Sequence, residues 1–187
     1  FAADMASHGG LITLADPAAY RAIEREPLRG TYRGLEVVTA PPASAGGATL
    51  LNMLNILEHF DLAQSGAGSA QSLHIMAESM KLGYLDRYRF LGDTDFVSTP
   101  IAGFISKSYG EERARLINPT RATPISQMGI GNPLAHESPS TTHFSVADAQ
   151  GNIVSTTYTL GADFGSGVMI AGTGILLNNQ MNDFDHA

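Results

Sequence analysis

Ser140-Thr141-Thr142 stands where a Pro/Ser-rich loop, Glu137-Ser138-Pro139, runs into a strand-like stretch from His143 to Asp148. A hydroxyl at the first position of a strand is where a nucleophile released by self-cleavage would sit. Threonine is a poor nucleophile until a base takes its proton, and a free α-amino group on the same residue is one solution. That amine has an ordinary pKa of about 7.7–8.0, close to working pH, as a general base requires. Cleavage before Thr141 would create the amine, so processing and activation would be one event. The same residues also read as a plain loop entering a hairpin, because threonine suits strands.

The elements around Thr141 decide what it could meet. A turn at Ala149-Gln150-Gly151-Asn152 leads into a second strand, Ile153 to Leu160, with Ile153, Ser155, Thr157 and Thr159 on one side and Val154, Thr156, Tyr158 and Leu160 on the other. Glycines at Gly165, Gly167, Gly172 and Gly174 then break the chain before a further strand-like run, Ile175-Leu176-Leu177. Upstream, residues 118–140 carry Pro119, Pro124, Gly129, Gly131, Pro133 and Pro139. So long a connection inside a compact protein is characteristically functional or mobile.

The earlier part reads as mostly helical. Asp16-Pro17 predicts a helix start, with the helix over Ala18 to Glu24 ending before Pro27. A hairpin is expected between Leu28 and Thr39 around Arg33-Gly34. Gly46-Gly47 is read as opening a helix that carries Leu50, Leu51, Leu54, Ile56 and Leu57 and ends near His59-Phe60. A long helix from Ala70 to Leu91 repeats Leu73, Met76, Ala77, Met80, Tyr84, Tyr88 and Leu91 at spacings of three and four, which predicts one buried stripe. His74 beside it reads as a packed or surface histidine. Gly92-Asp93-Thr94-Asp95 reads as a turn without the glycine and glutamate of a calcium loop, so no metal is expected there. Short helices are expected over Ile101–Ser106 and Tyr109–Ile117. Helices first and strands later indicate an α+β piece.

Composition narrows the function classes. The 187 residues suffice for one sizeable domain or part of a larger protein, and 43% are hydrophobic, as in a folded chain. The net charge of −7 and the lack of a basic run argue against nucleic acid or an anionic membrane as partner. No apolar run approaches the roughly 18 residues of a membrane span. There are no cysteines, which excludes thiol nucleophiles, disulfides and cysteine metal sites. The chain opens on Phe1 and reads as a segment of something longer.

The text Asp16-Pro17-Ala18-Ala19-Tyr20, Ala45-Gly46-Gly47, 77–84, Leu91-Gly92-Asp93, 137–144, Gly151-Asn152, 157–160, 164–167 and 174–184 resembles the gamma-glutamyltranspeptidase family of N-terminal nucleophile hydrolases, in family order. Thr-Thr-His-Phe-Ser and Leu-Leu-Asn-Asn-Gln-Met-Asn-Asp-Phe are its most specific runs.

The resemblance implies a proenzyme cut between Ser140 and Thr141, with residues 1–140 the C-terminal part of a large subunit and 141–187 the start of a small one. It implies a four-layer αββα sandwich, present here in part. The implied activity is γ-glutamyl transfer or hydrolysis through an acyl-enzyme on Thr141. The substrate would be a γ-glutamyl compound such as glutathione, and the acceptor an amino acid or water. Thr159 is implied to assist the nucleophile, and Gln180 and Asp183 to recognise the substrate's α-amino group, for which a carboxylate and an amide oxygen are suitable acceptors. His143 is read as a strand residue with a hydrogen-bonding role. No cofactor and no metal is implied, and family analogy implies a periplasmic or secreted location.

One position departs from the pattern. Family enzymes usually carry Asn or Glu where this chain has Gly161. That leaves an acylase of the cephalosporin or glutaryl type as the alternative, alongside an unprocessed, non-catalytic fragment. The carboxylate-binding arginine, the serine pair, the oxyanion glycines and the lid would lie outside the segment, so the isolated segment is expected to be inactive.

Overall fold

The computed structural model describes residues 1–128 and 142–180, which pack as two units, one of residues 24–128 and one of residues 1–23 with 142–180. Ser140, Thr141, Asp183 and the part of the expected 118–140 connection beyond residue 128 lie outside the described residues.

The unit of residues 24–128 begins with the expected hairpin. Strands β1 (Leu28–Tyr32) and β2 (Leu35–Thr39) are antiparallel, with Leu28 opposite Thr39 and Tyr32 opposite Leu35. Arg33 (φ 48°) and Gly34 (φ 82°) both take the positive φ that a two-residue hairpin of this twist requires. The non-glycine member is held from outside: the Arg33 backbone N–H donates to Glu58 Oε1 at 2.6 Å, and its Nη2 donates to the Phe60 carbonyl at 2.8 Å. Lys107 Nζ pairs with the other Glu58 oxygen at 2.5 Å and donates to the Thr31 carbonyl at 2.6 Å. Burial works to raise the Glu58 pKa, but the hydrogen bonds from Lys107 and Arg33 outweigh it and the carboxyl is held low.

Helix α3 (Ala45–Leu57) starts at Ser44, whose hydroxyl accepts from Gly46 N–H at 3.3 Å, so the glycine pair opens a helix as expected. After the short α4 (Leu62–Ser65), helix α5 (Ala70–Phe90) is capped by Ser69, whose hydroxyl accepts from Ser72 N–H at 3.1 Å. Helices α6 (Ile101–Phe104) and α7 (Lys107–Ala114) follow, then a 3-10 turn at Ile125–Gln127. Ile56, Ile75, Leu82, Ala114 and Ile117 form the core among α3, α5 and the α7 region. Gly83 permits the close α3–α5 contact, because a Cβ there would sit 2.7 Å from Met53 Cγ.

The expected buried stripe of α5 is corrected. Leu73 is 56% exposed, and Met76, Ala77 and Met80 are exposed with it. The buried face is Ser72, Ile75, Glu78, Ser79, Leu82, Leu85 and Asp86. Its polar members find partners in the helix itself and in residues far along the chain, which is what makes their burial tolerable. Ser79 Oγ donates to the Ile75 carbonyl at 2.9 Å. Glu78 pairs with Lys81 and accepts from Thr123 N–H at 3.2 Å. Asp86 lies 2.7 Å from Arg113 Nη2. Burial pushes the Asp86 carboxyl up despite Arg113, and burial together with Asp86 pushes the Tyr109 hydroxyl up to about 12.

The second unit holds α1 (Ala2–Ser7), α2 (Ala15–Ala19) and the antiparallel pair β3 (Thr142–Ala147) and β4 (Ile153–Tyr158). The helix expected at Ala18–Glu24 is corrected to α2. The Asp16 carboxylate turns back to accept from Thr13 N–H and Oγ1 at 2.7 and 2.8 Å, and Arg21 Nη1 donates to the Ala18 and Tyr20 carbonyls, ending the helix early. The run Ile175-Leu176-Leu177 is also corrected: it is not a full strand but one bridge, Met169 opposite Leu176, flanked by Ile170 N–H to the Ile175 carbonyl and Leu177 N–H to the Val168 carbonyl, both 2.9 Å. Met5 and Ile170 are the buried apolar residues here, and Ala171 N–H donates to Asp4 Oδ2 at 3.3 Å.

Candidate active site

The hairpin is built to hold its register. Asp148 Oδ1 accepts from the N–H groups of Gln150 and Asn152 at 3.0 and 2.9 Å, and its Oδ2 accepts from Asn152 Nδ2 at 2.7 Å. These bonds, the Asn152 side chain first, hold the Asp148 carboxyl below its ordinary range. The ladder then runs from Ala147 opposite Ile153 to Thr142 opposite Tyr158, with His143 opposite Thr157. Ser145 and Ser155 share a hydroxyl–hydroxyl bond of 2.9 Å across it.

Just beyond this ladder stands Thr159, partly buried, whose Oγ1 accepts from Gly161 N–H at 3.0 Å. The turn at Gly161 is closed by the chain 18 residues later: Asn179 N–H donates to the Leu160 carbonyl at 2.9 Å and Ala162 N–H donates to Asn179 Oδ1 at 2.8 Å. Gln180 follows directly, its N–H donating to Asn178 Oδ1 at 3.0 Å. A Cβ at Gly161 would lie 3.5 Å from Gln180 Cγ. Of the residues singled out in the sequence, Thr159 and Gln180 are therefore brought to one turn. Thr141, Ser140 and Asp183 are not among the described residues.

Asn179 is the residue that sequence reasoning passed over. Its only sequence signal was its place in the Asn178-Asn179-Gln180 run, which says nothing of which side chain turns inward. In the other unit a cavity of about 390 Å³ lined by Phe90, Phe104, Tyr109 and Glu112 holds none of the expected site residues. His74, read as packed or surface, is half-buried and donates from its ring to the Asn118 carbonyl at 2.8 Å. Among the described residues no group of three His, Cys, Asp or Glu is placed to hold a metal ion, and no helix is long and apolar enough to cross a membrane.

The family model described as Gamma-glutamyltranspeptidase matches residues 1–187. The chain belongs to the gamma-glutamyltranspeptidase family. A glutathione hydrolase proenzyme of Escherichia coli strain K12 is 48% identical over 183 residues, covering 98% of this chain and 32% of that protein. An Acylase ACY 1 proenzyme of Pseudomonas sp. strain SE83 is 45% identical over 181 residues, covering 97% of this chain and 32% of its own length. Among solved structures, a cephalosporin acylase from Bacillus halodurans is 31% identical with a TM-score of 0.80, covering 98% of this chain and 32% of that one. The chain thus spans about a third of the length of the curated family members it matches. The fold is mixed α and β, as its solved relatives in the family would have it.

Proposed function

We propose that this segment carries the nucleophile of a gamma-glutamyltransferase and glutathione hydrolase, made as a proenzyme and activated by its own cleavage between Ser140 and Thr141. The Thr141 hydroxyl attacks the Ser140 carbonyl, and the C–N bond between Ser140 and Thr141 breaks to free the Thr141 amine and leave an ester. Water then hydrolyses that ester to a Ser140 carboxylate and the free Thr141 hydroxyl. In the mature enzyme that amine takes the hydroxyl proton as oxygen attacks the γ-glutamyl carbonyl. The proton passes to the leaving amine, and the acyl group then goes to water or to an amino acid. The observation that carries the reading is the hairpin register: the ladder closes with Thr142 opposite Tyr158, and Thr159 stands one residue past that closing pair. Thr159 then assists the nucleophile, and Gln180 with Asp183 receives the substrate's α-amino group.

The proposed setting is the four-layer αββα sandwich, with residues 1–140 ending the large subunit and 141–187 opening the small one. Supporting it, the β3–β4 hairpin exposes apolar side chains on both faces, Ile153 at 71% on one and Val154 at 58% on the other, as a strand pair made to be covered on both sides would. The location proposed is periplasmic or secreted, by family analogy.

Gly161 favours a second reading, an acylase acting on cephalosporin or glutaryl amides, as two of the similar proteins are named acylases. Rates on γ-glutamyl and glutaryl anilides separate the two, since only the first presents an α-amino group to Gln180 and Asp183. Faster turnover of the γ-glutamyl anilide supports the transferase reading, and preference for the glutaryl compound replaces it with the acylase.

A further inference from the structure

Asn179 touches the turn after β4 on both sides of Gly161. Its backbone N–H reaches the Leu160 carbonyl at 2.9 Å and its side-chain Oδ1 receives Ala162 N–H at 2.8 Å. Between these two bonds lies Gly161 with φ +92°, a conformation L side chains rarely adopt. A Cβ built there would sit 2.1 Å from Asn179 Oδ1 and 3.2 Å from Asn179 Cγ. The space beside the turn is therefore already filled by the Asn179 side chain, and a side chain at 161 would enter it only if Asn179 shifted and gave up its bond to Ala162 N–H. The same turn fixes Thr159, whose Oγ1 receives Gly161 N–H at 3.0 Å. That bond uses a lone pair of the hydroxyl and so constrains where its proton can point.

We infer that Asn179 is a positioning residue for the reaction, and that Gly161 and Asn179 work as one interlocked pair that sets Thr159. This inference rests on the proposed role of Thr159. A carboxamide oxygen clamping a turn is replaceable by another oxygen of the same shape, whereas a merely space-filling side chain would be replaceable by an apolar one.

The test is made in the full-length protein with a γ-glutamyl anilide, reading kcat and KM separately. Asn179→Leu keeps the volume and loses the acceptor, and its kcat is expected to fall roughly tenfold with KM changed less than about threefold, the scale of an abandoned backbone donor. Asn179→Asp keeps the acceptor and is expected to recover most of kcat. Gly161→Ala is expected to lose roughly tenfold in the wild-type background but distinctly less when combined with Asn179→Ala, because the clashing atoms are then gone. Wild-type kcat in Asn179→Leu, or equal losses from Gly161→Ala in both backgrounds, overturns the inference. Should Asn179→Leu fail to fold, Asn179→Ala takes its place against Asn179→Asp: a kcat that falls in the first and is kept in the second supports the clamp, and equal kcat in both overturns it. Thr159→Ala reports separately on the functional reading. If it retains full turnover, that reading falls; if it is impaired while Asn179→Leu is not, only the clamp falls.

Discussion

The two units of this chain are stabilised in different ways. Residues 24–128 carry their own core, with Leu51, Ile56, Leu82 and Leu85 out of contact with water and a buried Asp86–Arg113 pair between α5 and α7. The hairpin and arm of residues 142–180 are held mainly by backbone ladders, the Asp148 turn and the Asn179 clamp, while Val146, Ile153, Val154 and Tyr158 stay exposed. Burial therefore shapes one region and hydrogen-bond geometry the other. Chemistry is proposed for the second, where register and turn conformation, not core volume, fix where a hydroxyl stands.

That contrast can be broken or sharpened by substitution, beginning with the largest effect. Thr141→Ala in the full-length protein is expected to leave one uncut polypeptide on denaturing electrophoresis and to lower turnover by a factor of about 10⁴ or more, while thermal unfolding of the helical unit is unchanged. In the proposed mechanism Thr159 assists and does not attack, so Thr159→Ala is expected to lower kcat by a factor on the order of 10²–10³, read by steady-state kinetics. Arg113→Met strands the buried Asp86 carboxylate, and urea unfolding of the 187-residue chain should show a loss of about 3–5 kcal/mol. Within α5, Leu82→Ala is expected to cost about 2–5 kcal/mol and Leu73→Ala under about 0.5 kcal/mol, since one is fully buried and the other exposed. Equal costs would mean that the two faces of α5 are assigned the wrong way round.

The smallest effect concerns pH. Asp148 has a folded pKa below its ordinary value of 3.8, so its contribution to the β3–β4 turn is fully present above that value. It is lost as pH falls through the lower folded value. Asp86 has the opposite sign: its raised folded pKa makes its ionisation costly, so this term favours the folded state at low pH and weakens as pH rises through the folded value. Amide exchange should therefore show the hairpin turn loosening on acidification below pH 3.8, a response that Asp148→Asn diminishes.

Much of this was legible in the residues, and the misses have physical causes. Arg33-Gly34 announced its hairpin, because two-residue turns of that kind demand positive φ, and Gly151, with φ 85°, marked the longer turn between β3 and β4. The face of α5 was read inverted because its buried side carries Ser72, Glu78, Ser79 and Asp86, whose partners come from Thr123, Arg113 and the helix's own carbonyls. Periodicity counts apolar residues and cannot foresee distant partners that make polar burial affordable. At the site, Thr159 and Gln180 were legible only through resemblance, since a threonine near a strand end and a glutamine in a polar run are ordinary. Asn179 was hidden for a similar reason: its contact with Gly161 spans 18 residues and depends on one φ angle.

The central claim is that Thr141 becomes an N-terminus and then the nucleophile. N-terminal sequencing of the full-length protein after purification, with intact mass of both pieces, tests it most directly. The account predicts a small subunit beginning Thr-Thr-His-Phe-Ser, absent in Thr141→Ala; an active enzyme that remains a single uncut chain, or is cut elsewhere, would contradict it.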